Sequence, residues 1–141
     1  MNFARWMLAT LGATVALFAF GFLAFGALPQ LREEFAKYPN VYRTRETMKD
    51  VMPIGVAAIL LSILVLVVLY AMVYRGGSGF AEGTRFGALI GCFVVCAFVA
   101  HNYVNLNIGW KLTVEQAVAY FVEWTLVGIV IGLIYKPKAT P

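Results

Sequence analysis

The sequence predicts an all-α, polytopic membrane protein whose four transmembrane helices form an up-down bundle, and its composition and the spacing of its charges support this. Hydrophobic residues make up 62% of the 141 residues and charged residues 13%, whereas soluble domains average roughly 45–50% and about 25%. So few charged side chains cannot cover this much apolar surface in water. We therefore expect lipid to cover it, and a soluble globular domain is excluded.

The four predicted spans lie at about 6–28, 53–74, 86–108 and 115–135, within a single transmembrane domain that covers residues 1–141. Each has about the 20 residues that a helix needs to cross a hydrocarbon core at about 1.5 Å per residue. The apolar runs are continuous and do not alternate with a period of two, which favours helices over barrel strands. A helix also satisfies its own backbone hydrogen bonds in lipid.

The first two spans each raise a question about where they begin. The first could instead be a secretory signal, with Arg5 as its basic region and Ala24-Phe25-Gly26 as a cleavage site. Its apolar run exceeds the roughly 7–15 residues of a signal peptide, which favours a retained span. Pro53 is expected at the start of the second helix, where the missing N–H costs nothing.

Residues 29–52 form the only sizeable extramembrane segment. Leu31 and Phe35 are four residues apart, which predicts a short helix at the membrane interface. The segment is too short for a catalytic domain, so it is either a solvated connector or a docking surface for a partner. The net charge of +4 is typical of anchoring at anionic headgroups, and no basic stripe for nucleic acid is present.

Lysine and arginine are spread evenly over the two sides of the membrane, so their count does not fix the orientation. The loop at 29–52 also carries acidic residues, and some of its basic residues lie far from a helix end. These features favour cytoplasmic termini.

Glycines at a spacing of four mark close helix contacts in the second half of the chain. Gly83, Gly87 and Gly91 share one face of the third helix, and Gly128 and Gly132 repeat the spacing on the fourth. Such small-residue faces let another helix backbone approach closely. The contact could lie within one chain or between two copies, and the sequence does not separate the two.

An intramembrane polar cluster is predicted where the third and fourth helices meet. If these helices form a hairpin that turns at Leu112, facing residues have numbers that sum to about 224, which places His101 level with Glu123. The members of the predicted cluster are His101, Asn102, Asn105, Tyr120 and Glu123. We expect a hydrogen bond between His101 and Glu123.

Two interpretations of this cluster stay open. It could join two helices through polar contacts worth about 0.6 kcal/mol each. It could instead be a protonatable site that relays protons, coordinates a cation or recognises a polar lipid-like ligand, because a carboxylate at mid-bilayer is costly. Cys92 and Cys96 supply only two ligands, since His101 points away from them, so no metal site is expected. No catalytic motif is present.

Two stretches resemble the second half of a group of small bacterial four-helix membrane proteins of unknown function, namely EGTRFGALIGCFVVCAFVAHNYVNLNIGW and AVAYFVEWTLVGIVIGLIYKP. The opening MNFARWMLATLGATVALFAFGFLAFGAL resembles their first helix more loosely. The resemblance implies a bacterial inner-membrane protein and carries over no active residue. Four-helix multidrug exporters are similar in size but depend on a glutamate in the first helix, which this chain lacks.

The predicted function is that of a non-enzymatic accessory or interaction subunit of a membrane complex. Its expected partners are the lipid bilayer and either another membrane protein or a second copy of the chain, and no cofactor is expected. The alternative is a small proton- or cation-coupled transporter or a lipophile-binding protein that uses Glu123 with His101.

Overall fold

The structure is a computed structural model that describes residues 3–135, and within this range it contains five helices and no strand. The helices are α1 (Phe3–Ala27), α2 (Pro29–Ala36), α3 (Arg45–Val73), α4 (Gly79–Asn105) and α5 (Trp110–Ile134). All except α2 are long and apolar enough to cross a membrane. The prediction of an all-α, multi-pass membrane protein is thus confirmed.

Three of the spanning helices begin earlier than their apolar runs. Helix α3 starts at Arg45, so Pro53 lies inside it and not at its start. Thr44 caps this end, because its hydroxyl accepts a hydrogen bond from the backbone N–H of Thr47 at 3.4 Å. Helices α4 and α5 likewise start at Gly79 and Trp110. Apolar runs mark the hydrocarbon layer, whereas helical hydrogen bonding continues into the interface.

Helix α5 lies at the centre of the packing, because α1 and α4 both pack extensively against it. Helix α3 packs mainly on α1 and touches α5 at few places. The principal core lies where α1, α3 and α5 meet, and its members include Leu17, Ile63, Val67, Tyr70 and Ile131. Helix α3 therefore stands apart from α4, and an open cleft remains between them.

The α4–α5 contact is formed by backbone against backbone. A Cβ atom added to Gly87 would lie 2.7 Å from the carbonyl oxygens of Trp124 and Thr125, and Gly83 and Gly128 face each other in the same way. Gly132 lies against Gly79 and Gly83, and Gly91 lies against Phe121. The structure thus places the five predicted packing glycines in contacts within one chain.

A tight turn joins α3 to α4. Gly76 has a φ of 87°, a conformation that side chains disfavour. The Tyr74 hydroxyl donates a hydrogen bond to the carbonyl of Gly77 at 2.9 Å. Close to this turn the rings of Tyr70 in α3 and Phe86 in α4 are in contact, with centroids 5.4 Å apart. The cleft between α3 and α4 lies beyond this contact, toward α2.

Candidate functional site

The structure does not bring His101 and Glu123 together. Gly87 lies against Trp124 and Thr125, so facing residues of α4 and α5 have numbers that sum to about 212, not about 224. His101 is then level with the first turn of α5, roughly 12 residues or 18 Å from Glu123 along the helix. The reason is that α5 begins at Trp110, before the predicted start at about 115, so the chain turns between α4 and α5 earlier than expected.

The polar side chains of α4 face outward. His101, Asn102 and Asn105 are all exposed, and within residues 3–135 no hydrogen bond or ion pair joins any of them to Glu123. Asn102 does line the same cleft as Tyr120. The predicted five-residue cluster is therefore divided: Asn102 and Tyr120 line the cleft, His101 and Asn105 are exposed on α4, and Glu123 lies apart from them.

Glu123 is buried against α1. Only 4% of it is exposed, and its Oε1 atom lies 3.0 Å from the position that a Cβ atom on Gly21 would take. Within the described range, no hydrogen bond or ion pair reaches this carboxylate. A π-helical segment, Phe22–Ala27, begins directly after Gly21, and such segments are frequent at functional sites.

A cleft of about 880 Å³ lies between α3, α4 and α5. Its walls are mainly apolar and include Leu61, Val65, Leu69, Ile90, Phe93, Phe98 and Trp124. A second π-helical segment, Val95–Ala100, forms part of the α4 wall. Polar groups from Asn102, Gln116 and Tyr120 lie at the end of the cleft nearer α2. The cleft thus combines a long apolar surface with one polar end.

A second cavity, of about 530 Å³, adjoins that polar end. Phe35, Tyr42 and Tyr120 line both cavities, which shows that the two are neighbours. The second cavity is lined by three arginines, Arg32, Arg43 and Arg45. No acidic side chain of the described residues lines it. Together the two cavities form an amphipathic site with a basic end between α2 and the start of α3.

Helix α2 and the residues that follow it cover this end of the bundle. The buried Glu34 carboxylate accepts hydrogen bonds from Lys37 and, at 2.7 Å, from the Nζ of Lys111 in α5. The hydroxyl of Tyr38 accepts a bond from the N–H of Gly109 at 2.9 Å. These contacts tie the 29–44 segment to α5, so α2 is a fixed wall of the arginine-lined cavity.

Sequence reasoning missed the cover formed by Glu34. Its spacing of three from Lys37 signals only a local ion pair. No pattern in the chain links Glu34 to Lys111, which is distant in sequence and lies in a helix that was expected to begin later. The arginine-lined cavity was missed for the same reason, since it exists only where α2 folds back on the bundle.

The Glu34 ion pairs should make stability depend on pH. The hydrogen bonds from Lys111 and then Lys37 hold the pKa of Glu34 below its usual value of 4.5. A lowered pKa in the folded state means that this carboxylate contributes stability above pH 4.5 and loses it as the pH falls through the lowered pKa. We expect the melting temperature of Glu34→Gln to be lower than that of the wild type at pH 7, with the difference shrinking below about pH 4.5.

Thermal unfolding in detergent, followed by circular dichroism from pH 3 to pH 8, measures this difference. Glu33→Gln is the matched control, because Glu33 is exposed and makes no ion pair within residues 3–135. A Glu34→Gln deficit that stays constant across the whole pH range would contradict the prediction.

The donor groups present do not form a metal centre. In the part of the chain that the structure describes, no group of three His, Cys, Asp or Glu side chains lies close enough to hold an ion. Cys92 and Cys96 are exposed on α4.

Comparison of the chain with protein-family models, curated proteins and solved structures finds no match. The cleft and the side chains that line it are therefore the features that indicate a function.

Proposed function

We propose that the chain is a non-enzymatic integral membrane protein that binds a lipophile in the cleft between α3 and α4. The observation that carries the proposal is the cleft itself, whose volume of about 880 Å³ lies within the roughly 300–1,000 Å³ typical of small-molecule sites. Its walls come mainly from three helices. Ser62 lies among the apolar residues, but its hydroxyl donates a hydrogen bond to the carbonyl of Ala58 at 2.8 Å, and the other polar side chains that line the cleft lie toward α2. This division matches a molecule with an apolar chain and a polar head.

The packing of the helices favours an occupant. Val65 and Phe93 are 51% and 61% exposed although they line the cleft. An empty apolar space of this size would forfeit the dispersion contacts that close-packed interiors make. A lipid-like chain between α3 and α4 would restore those contacts without moving either helix.

The accessory or interaction function predicted from composition would involve the same cleft between α3 and α4. A helix of a partner or of a second copy would then occupy the cleft in place of a lipophile. A proton- or cation-coupled transporter is supported only by Glu123, because His101 lies elsewhere. The lipophile is favoured because the polar groups are gathered at one end of the cleft, whereas a partner helix needs small residues along its contact.

The proposal is tested through Trp124, which lines the cleft. In a chain with Trp6→Phe and Trp110→Phe, Trp124 is the sole tryptophan. We expect its fluorescence to be quenched in vesicles of phosphatidylcholine with brominated acyl chains. Adding Val65→Phe narrows the cleft and should reverse at least half of this quenching.

The matched control is Val15→Phe on α1, where the residue is 68% exposed and lines neither cavity. This change should leave the quenching of Trp124 unaltered. If Val65→Phe has no more effect than Val15→Phe, the chain of the lipid does not enter the cleft and the proposal fails. Recovery of a protein partner together with unquenched Trp124 would support the accessory function.

We also propose the bacterial inner membrane as the location, with both termini cytoplasmic. The support is the resemblance of the E-G-x-R-F-G motif at residues 82–87 and of the G-L-I-Y-K-P motif at residues 132–137 to small bacterial membrane proteins. Tagging each terminus with a reporter that is active only in the cytoplasm tests the orientation. Activity of neither fusion would contradict it.

A further inference from the structure

We propose that the arginine-lined cavity binds the phosphate of an anionic phospholipid whose acyl chain lies in the cleft between α3 and α4. This inference rests on the proposed function and names the class of lipophile. It is carried by the position of the cavity, by the absence of partners for its arginines and by the start of α3 at its wall.

The position of the cavity suits a headgroup. Phe35, Tyr42 and Tyr120 line both the cavity and the cleft, so one molecule can occupy the two at once. Arg43 and Arg45 lie where the chain enters α3, and Arg32 lies on the interfacial helix α2. The uncharged run of α3 begins after Asp50, so a bilayer around this run would place the three arginines near its headgroups, whereas the cleft continues toward Leu69 and Ile90.

The three arginines are available to a ligand. Within residues 3–135, none of their guanidinium groups makes an ion pair or a hydrogen bond to another side chain. By contrast, the nearby Lys37 and Lys111 are both bound to Glu34. Glu34 and Glu115, which lies 3.8 Å from Lys111, thus pair with the lysines beside the cavity. The arginines remain, and their planar groups bind phosphate oxygens in pairs.

The start of α3 adds to the attraction. Thr44 and Arg45, the capping residue and first residue of α3, both line the cavity. Unpaired backbone N–H groups and the positive end of the helix dipole favour an anion at such a position. Phe35 and Tyr42, whose ring centroids are 4.7 Å apart, line both spaces and lie where the arginine-lined cavity meets the apolar cleft.

An amphiphile fits better than a free phosphate. The cavity shares three lining residues with an apolar space that an acyl chain would fill, and a soluble phosphate would leave that space empty. Each cationic side chain near the headgroup is worth roughly a fivefold gain in affinity for an anionic lipid. Partial screening by water and salt reduces this, so we expect an overall preference of about tenfold.

The test uses the chain in which Trp124 is the sole tryptophan. Brominated phosphatidylglycerol or brominated phosphatidylcholine, at the same low mole fraction, is diluted into unbrominated phosphatidylcholine vesicles. We expect half-maximal quenching of Trp124 at about a tenfold lower fraction of phosphatidylglycerol. Arg32→Gln, Arg43→Gln and Arg45→Gln together should reduce the preference to twofold or less.

The matched control is Arg75→Gln with Arg85→Gln, which removes exposed arginines at the opposite end of the bundle and should retain the preference. If the triple variant fails to fold, the three single variants are compared, and each should lose about twofold. Soluble glycerol phosphate at millimolar concentration should not displace the lipid. Displacement would show that the cavity binds phosphate without a chain and would overturn the lipid assignment.

The remaining outcomes separate the two proposals. Equal quenching by the two lipids, still reversed by Val65→Phe, would overturn the headgroup inference and leave the lipophile cleft in place. Quenching that Val65→Phe does not change with either lipid would overturn the proposed function itself. An unaltered preference in a folded triple variant would show that the arginines do not bind the headgroup.

Discussion

Replacing Gly87 by alanine is expected to lower the free energy of unfolding by about 1–3 kcal/mol, the usual cost of forcing an extra methyl group into a close-packed interface. The added Cβ atom would lie 2.7 Å from two backbone carbonyl oxygens, those of Trp124 and Thr125. Backbone cannot rotate away as a flexible side chain can, so α4 and α5 would have to separate along their length. Equilibrium unfolding in mixed micelles of mild detergent and dodecyl sulfate measures the change.

Gly55→Ala is the matched control, because nothing lies within 4 Å of a Cβ atom added at Gly55 in α3. Its expected effect is neutral or a stabilisation of up to about 1 kcal/mol, since alanine favours a helix over glycine. If Gly87→Ala and Gly55→Ala gave the same free energy of unfolding, the close α4–α5 contact would be contradicted.

Replacing Glu123 by methionine is expected to raise the free energy of unfolding by about 1–3 kcal/mol. The carboxylate is 4% exposed and has no hydrogen bond or ion pair within residues 3–135. An unpaired acidic group inside a membrane protein carries a large desolvation cost, and methionine has a similar length without that cost. Glu123→Gln, which remains polar, should gain less.

The same unfolding measurement tests whether Glu123 has a partner. Loss of stability in both variants would show that the carboxylate makes an interaction that holds the bundle together. His101→Ala, added to the wild type and to Glu123→Gln, should change stability by the same amount within about 0.5 kcal/mol, because the two residues do not touch. Strong coupling would instead favour the Glu–His pair expected from sequence.

The number of spanning helices could be predicted from sequence because it depends on uncharged runs, and lipid exposure makes such runs long. The ends of the helices could not, since hydropathy reports the hydrocarbon layer and not backbone hydrogen bonding. Pro53 illustrates this, because the capped polar turns before it are helical. The glycine faces of α4 and α5 were predictable from the spacing of the glycines, because a helix face without side chains favours close contact with another helix backbone.

The site was less predictable than the fold. The register of the α4–α5 hairpin depends on where the chain turns. Asn107 and Gly109 are typical turn residues, but the apolar run continues past them, so the end of the run does not locate the turn. An error of a few residues in the turn moved His101 away from Glu123. The cleft had no sequence signal, since a side chain that lines it, such as Val65, is as apolar as one that faces lipid.

The central position of α5 has a consequence for how the molecule assembles. Helices α1 and α4 make their main contacts with α5, which follows both of them in the chain. During synthesis the earlier helices therefore enter the bilayer before the surface on which they pack exists. Helix α1 and the glycine face of α4 therefore lack their main packing partner until α5 is made, and the final fold forms only when α5 inserts between them.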